Sequence, residues 1–288
     1  MHDQAQRLRS MVAQSQTQGA KNTKVITVTS GKGGVGKSNF TLNYALGLAK
    51  EGKKVVILDG DVGFANIDVL MGVNPSKTLA DLIRKQATLQ DILETGPLGV
   101  QFIAGGSGFQ DLLDVQPEQF EYLVEQLATL QGQVDYVLID TGAGLNQQTL
   151  RLILAADEVY VVLTPEPTAI TDAYALIKMV ANRDPATRLQ LVINRAYSAG
   201  EGHEAADKIS LVAKRFLELD VPTLGIVLDD PNVTKSVKKQ TPFLISHPES
   251  TASRSISSIV NAQLHNRMEE HATKGMKQFL HRMVRLFR

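Results

Sequence analysis

The sequence predicts an α/β fold, a doubly wound, mostly parallel sheet flanked by helices on both faces. Three observations predict it. Short apolar runs recur between residues 24 and 228, amphipathic segments of helical spacing separate them, and a glycine-rich turn joins the first run to the first such segment. The runs are Val25–Thr29, Val55–Leu58, Val100–Ala104, Tyr136–Ile139, Val159–Leu163, Leu189–Ile193 and Thr223–Val227. Rich in Val and Ile and only four or five residues long, they read as strands buried on both faces rather than helices. Asn39–Lys50, Glu118–Leu130, Ala169–Ala181 and Ala205–Leu219 carry helical spacing. Such alternation builds sheets that bind ligands at the carboxyl ends of their strands.

Composition narrows the function classes. At 288 residues and 43% hydrophobic, the chain has enough apolar surface for one large core. Its 30 basic and 30 acidic residues cancel, so any affinity for nucleic acid or membrane must sit in a local patch. The absence of cysteine excludes disulfide frameworks, thiolate zinc sites and cysteine-held iron–sulfur clusters, and fits a reducing cytosol. Met1 to Arg9 is polar, unlike a secretory signal, and no apolar run is long enough to span a bilayer. The expected location is therefore cytoplasmic. The expected organisation is a segment and linker over 1–23, a nucleotide-binding domain over 24–272, and a basic amphipathic helix over 273–288. Ile256, Ile259, Val260, Leu264 and Met268 form a helical stripe expected to pack on the domain.

The glycine-rich turn carries the chemistry. Gly31-Lys32-Gly33-Gly34-Val35-Gly36-Lys37-Ser38 matches G-x-x-x-x-G-K-[ST], follows a predicted strand and opens a predicted helix. Glycines let backbone N–H groups curl around phosphates, and the helix amino end adds partial positive charge. Gly33, Gly34, Val35 and Gly36 are thus expected to cradle the phosphates of ATP. Lys37 is expected at the β/γ-phosphates, with the Ser38 hydroxyl on Mg²⁺.

Lys32, directly after the first glycine, makes this loop resemble that of the deviant Walker A family, which includes MinD, ParA, the nitrogenase iron protein and the arsenical-pump ATPase. That resemblance implies an ATP-driven homodimer in which Lys32 reaches the partner's nucleotide. A cation supplied in trans would stabilise charge developing on the transferred phosphoryl group. Two carboxylate stations follow. Val55–Leu58 delivers Asp59 and Asp61 at its carboxyl end, and Val62 to Asp68 beyond them looks like the first switch of MinD-like ATPases. By the resemblance, Asp61 orients the attacking water and Asp59 supports Mg²⁺ or its water shell. Tyr136–Ile139 leads to Asp140, expected near the metal, and to a second switch where Gly142 stands in place of the proline usual in MinD relatives. The resemblance also makes Asn194 an adenine contact, with Arg195 beside it, and places Leu228 and Asp230 on the other side of the base. The guanine-reading N-K-x-D set has no counterpart here.

The two ends add separate signals. Lys274 to Arg288 holds five Lys or Arg and no acid. Met276, Phe279, Leu280, Met283 and Phe287 fall on one helical face, the arrangement of a helix lying in a membrane surface. Docking of that face on the domain's own sheet is the alternative. Asp3, Gln4, Ala5, Leu8 and Arg9 resemble the D-Q-A-x-x-L-R segment that begins FlhG (FleN, YlxH) proteins, MinD-like ATPases that set flagellar number and placement. That resemblance implies stimulation of the FlhF GTPase, contact with flagellar basal-body (C-ring) proteins, reversible attachment to membrane lipid, and no nucleic acid partner. The competing reading keeps the ATPase and changes the task to MinD-type cell-division control or ParA-type DNA partition.

Overall fold

The computed structural model describes residues 22–61, 67–106, 115–144, 146–265 and 275–287, without the side chain of Phe287. Its eight strands are β1 (Lys24–Thr29), β2 (Val55–Gly60), β3 (Glu94–Thr95), β4 (Gln101–Ile103), β5 (Tyr136–Thr141), β6 (Glu158–Leu163), β7 (Leu189–Ala196) and β8 (Thr223–Leu228). They form one sheet in the order β3-β4-β2-β5-β1-β6-β7-β8. Every pairing among them is parallel except that of β3 with β4. All seven expected strands are present, with ends shifted by one to three residues. β3 escaped the sequence reading because two residues, neither of them apolar, carry no periodicity.

Strand alternation sends successive side chains to opposite faces, and both faces are covered. Ile26, Val28, Val55, Ile57, Tyr136 and Leu138 pack into one core, against helix α1 (Lys37–Lys50). Val25, Val56, Leu58, Val137 and Ile139 point the other way, into a second core. That core includes helix α2 (Pro117–Ala128) and residues of α3 (Gln147–Ala155). Helices α4 (Pro167–Arg183) and α5 (Ala199–Leu217) cover the β6–β7 side. After β8 come α6 (Pro231–Lys238) and α7 (Thr251–His265), and the latter buries Ile256, Ile259 and Val260 against α1 and its strands as its stripe predicts. Leu264 is partly buried there, and Met268 lies outside the described residues.

The last helix, α8 (Gly275–Phe287), takes in this structure the alternative the sequence offered, docking on the domain's own sheet. Met276, Phe279, Leu280 and Met283 face protein rather than solvent, each no more than 3% exposed. They sit in the second core among Leu58, Leu79, Leu123, Leu127, Val137, Ile139 and Leu152, leaving a void of only about 10 Å³. Arg282 fixes the helix by donating from Nη1 to the Leu154 carbonyl, 3.2 Å away, near the end of α3. Here α8 therefore shares the core of the domain that precedes it. The physical reason is that burial is non-directional: an apolar stripe suited to lipid is equally suited to an uncovered sheet face. Each such side chain contributes on the order of 1.5–3 kcal/mol when fully buried.

Candidate active site

The carboxyl ends of β1, β2 and β5 bring the predicted chemistry together. Residues 31–36 turn between β1 and α1, with Gly34 and Gly36 at φ of 80° and 89°. At Gly36 the constraint is double, because a Cβ there would also collide with the Asn194 amide. Lys37 opens α1, and its ammonium lies 2.9 Å from Asp140 Oδ1 at the end of β5. The Thr41 hydroxyl lies 3.0 Å from the same oxygen. Lys37 is 7% exposed and Asp140 is fully buried, so each charge depends on the other. The other carboxylate oxygen of Asp140 is buried without a hydrogen-bond partner among the described residues. Asp59 is paired in register with Asp140 across β2 and β5.

Asp59 has a further task. Its Oδ1 accepts from the Asp61 amide at 3.1 Å and its Oδ2 from the Ile67 amide at 3.4 Å. One carboxylate thus ties the two ends of the first switch together; residues 62–66 between them lie outside the described set. Asp61 opens on a cavity of about 120 Å³ lined by Gly60, Gly142, Ala143, Asn146, Gln148, Thr149 and Leu152. The space suits ordered water held between polar walls. Gly142 lies against the Asp61 carboxylate, where a Cβ would stand 3.2 Å from Oδ1.

Lys32 rests against the start of α4. Its ammonium is 2.9 Å from the Thr168 hydroxyl and 3.5 Å from Glu166 Oε2, both at the start of α4. Glu166 and Thr168 escaped the sequence reading, though the turn Thr164-Pro165-Glu166-Pro167 after β6 was the available signal.

Beyond the phosphate loop lies a cavity of about 510 Å³, walled by Gly34, Gly36, Asn39, Phe40, Asn194, Arg195, Val227, Leu228, Asp229, Asp230 and α6 residues. Its apolar walls and few polar groups suit a nucleobase. Asn194 lines it as expected, but its amide nitrogen donates to the Val35 carbonyl at 2.7 Å, so it also braces the phosphate loop. Arg195 holds a left-handed backbone, φ 58°, at the mouth of the cavity. Its guanidinium lies 3.6 Å from Asp229, and both are more than half exposed.

Asp230 also lines this cavity, and its carboxylate has a task of its own. Oδ1 accepts from the Asn232 amide at 2.8 Å, capping α6, and Oδ2 from the Ala252 amide at 3.1 Å, capping α7. Burial raises the pKa of this carboxyl, but the amides of Asn232, Ala252 and Thr251 and the Ser250 hydroxyl outweigh burial and leave it below the usual carboxylate range. Asp230 thus fixes the part of the cavity wall that it forms. Asp3, Gln4, Ala5, Leu8 and Arg9 lie outside the described residues.

The comparisons with known proteins agree with this geometry. The ParA family, described as NUBPL iron-transfer P-loop NTPase, matches residues 21–264. The antiactivator FleN of Pseudomonas aeruginosa is 40% identical over 80% of this chain and 82% of its own length. The flagellum site-determining protein YlxH of Helicobacter pylori is 35% identical over 92% of this chain and 90% of its own. The chain belongs to the FlhG (FleN/YlxH) group of the MinD/ParA family. Among solved structures, Pyrococcus horikoshii MinD with Mg-ADP superposes at a TM-score of 0.69 and 26% identity, over 85% of this chain and 98% of that one. This MinD/ParA member is an ATPase that uses ATP and Mg²⁺.

The residues present fit the metal: the unpartnered Asp140 oxygen, the Ser38 hydroxyl and the aligned Asp59 form an oxygen donor set suited to a hard cation. When bound, Mg²⁺ neutralises charge on the terminal phosphates. Ser38 and Asp140 would hold it, with Asp59 beside them. Lys37 would bind phosphate once drawn off Asp140, the turn's N–H groups would orient it, and the cavity beside Asp61 has room for a water that its carboxylate could position.

Two outcomes follow from these contacts. Lys37→Ala should abolish ATP binding in calorimetry with Mg²⁺ and, by stranding buried Asp140, cost about 3–5 kcal/mol in a denaturant titration. Adding Asp140→Asn should restore stability without restoring binding, and unchanged affinity in the single variant would contradict the site. For Asp230, a folded pKa below the unfolded value means its stabilisation is present above about pH 4 and fades as pH falls through the folded pKa. Wild type should therefore exceed Asp230→Asn in urea stability at pH 7, and the gap should narrow towards pH 2.

Proposed function

We propose that this ATPase is a nucleotide-switched regulator of flagellar number and placement, which dimerises with ATP, attaches to membrane through α8, and stimulates the FlhF GTPase. One observation carries the switching. Leu152 lines both the polar cavity of Asp61 and the apolar seat of α8. Helix α3, which bears it, begins just beyond the second switch and holds Arg282 by the Leu154 carbonyl. A shift of the second switch on ATP binding moves α3 and loosens the seat. Released in pairs from a dimer, two α8 helices bind lipid far better than one. Their basic residues Lys277, Arg282 and Arg285 favour anionic headgroups. The flagellar setting rests on the Asp3-to-Arg9 segment and on the flagellar names of FleN and YlxH.

Asp61→Ala should bind ATP without hydrolysing it, elute as a dimer, and float with anionic vesicles more than wild type does with ADP. A monomer with ATP would contradict the switch, and flotation unaffected by deleting Gly275 to Arg288 would put the lipid contact elsewhere. A peptide of Met1 to Gly19 should raise the GTP hydrolysis rate of FlhF, and Gln4→Ala should weaken it more than a change at Gln6. No effect on that rate would move the cell-division reading ahead.

A further inference from the structure

Asp61 meets only half of what an attacking water needs. In hydrolysis the water oxygen bonds to the terminal phosphorus while the bond from phosphorus to the bridging oxygen breaks. The electron pair of that bond leaves with ADP, and one water proton ends on phosphate. The attacking lone pair must face phosphorus, so both protons of the water must be turned away from it. A carboxylate accepts hydrogen bonds and can hold one of those protons. The other needs a second acceptor on the same water. We propose that this acceptor is the side-chain amide of Gln148, which makes Gln148 a water-positioning residue for ATP hydrolysis. The inference rests on a water lying beside Asp61 in the cavity described above.

Three observations point to Gln148. The first is the company it keeps. The cavity of about 120 Å³ is walled by Asp61 at the end of β2, by Gly142 and Ala143 beyond β5, and by Asn146, Gln148 and Thr149 at the start of α3. Gln148 and Leu152, four residues apart, share one face of α3, and both line the cavity. Gln147, one position earlier, is exposed and lies outside the lining.

The second observation is how the polar side chains divide their tasks. Asn146 Oδ1 caps α3, accepting from the Thr149 amide at 2.7 Å. Thr149 is buried and its hydroxyl is short, whereas Gln148 is half-buried and has a long side chain. A glutamine carbonyl accepts a hydrogen bond without adding negative charge beside Asp61 or phosphate, where a second carboxylate would be repelled. Glutamine orients the attacking water in other phosphoryl-transfer sites for this reason.

The third observation is the closeness of the phosphate loop. The Gly144 amide donates to the Ser30 carbonyl at 3.0 Å, which ties the second switch to the start of that loop. A Cβ on Gly33 would stand 3.9 Å from the Ala143 side chain. Ala143 also lines the cavity, so a water held there lies next to the turn that cradles phosphate.

The test compares single-turnover ATP hydrolysis among variants of the full-length protein. Gln148→Met keeps the length of the side chain and removes its hydrogen bonding. It should slow hydrolysis about ten- to a hundredfold, with ATP affinity in calorimetry and the urea midpoint unchanged. Gln147→Met should leave the rate as it is. Gln148→His gives a readout that a structural role would not move. Neutral imidazole accepts a hydrogen bond and imidazolium does not, so this variant should hydrolyse ATP above a pKa of about 6.5 and slow below it. Asp61, the titratable side chain in the described lining, would shift that limb upward without removing it. Wild type should show no such limb near neutral pH.

Wild-type hydrolysis by Gln148→Met would overturn the proposal. So would a loss of rate matched by a loss of ATP affinity or urea stability, or a flat profile for Gln148→His. Asp61→Ala, measured alongside, separates this reading from the one beneath it. If Asp61→Ala hydrolyses at the wild-type rate, no water is held in this cavity and both readings fall. If it stops while Gln148→Met runs at full rate, only the second acceptor falls. Should Gln148→Met fail to fold, Gln148→Ala takes its place with the same outcomes.

Discussion

The buried pair of Lys37 and Asp140 is the contact on which the rest depends. It joins the phosphate loop to the end of β5, the strand that continues into the second switch and α3. Neither charge is tolerable alone at this depth, since desolvation of one ion costs several kcal/mol. A phosphate that draws Lys37 away leaves Asp140 to a metal, so nucleotide and Mg²⁺ favour each other's binding. The same event alters the hydrogen-bonding and charge at the root of the second switch. Asp59 performs a parallel task on the neighbouring strand, where its two oxygens hold both ends of the first switch.

Much of this was legible in the sequence because it is local. Strand-and-helix alternation gave the order of elements, and Gly31 to Ser38 with Asp59, Asp61 and Asp140 gave the phosphate end of the site. What was not legible depends on residues distant in sequence. Asp230 lines the cavity that its position after β8 suggests, but the capping of two helix amino ends by its oxygens, one of them more than twenty residues away, was not to be read from sequence. Asn194 was placed correctly at the cavity, but its bond to Val35 spans 159 positions. The parking of Lys32 on Thr168 and Glu166 is of the same kind.

Helix α8 shows the limit of periodicity most clearly. Its stripe specifies that one face is apolar and says nothing about what meets it. The sheet offers a seat of matching shape, and the helix takes it. On the proposed function lipid and protein compete for one surface, with the balance set by α3, whose Leu152 meets both the Asp61 cavity and the seat. An ATPase that switched in this way would need no separate sensor, because the element that follows the second switch also lines the seat of the tail.

The most direct test of that coupling is amide hydrogen exchange over residues 276–287 in the Asp61→Ala protein, compared between ADP and ATP without membrane. The account predicts protected amides with ADP and exchange at least tenfold faster with ATP, with a smaller rise over Gln147–Ala155. Equal or greater protection with ATP would show that the nucleotide does not reach the seat, and would contradict the switch.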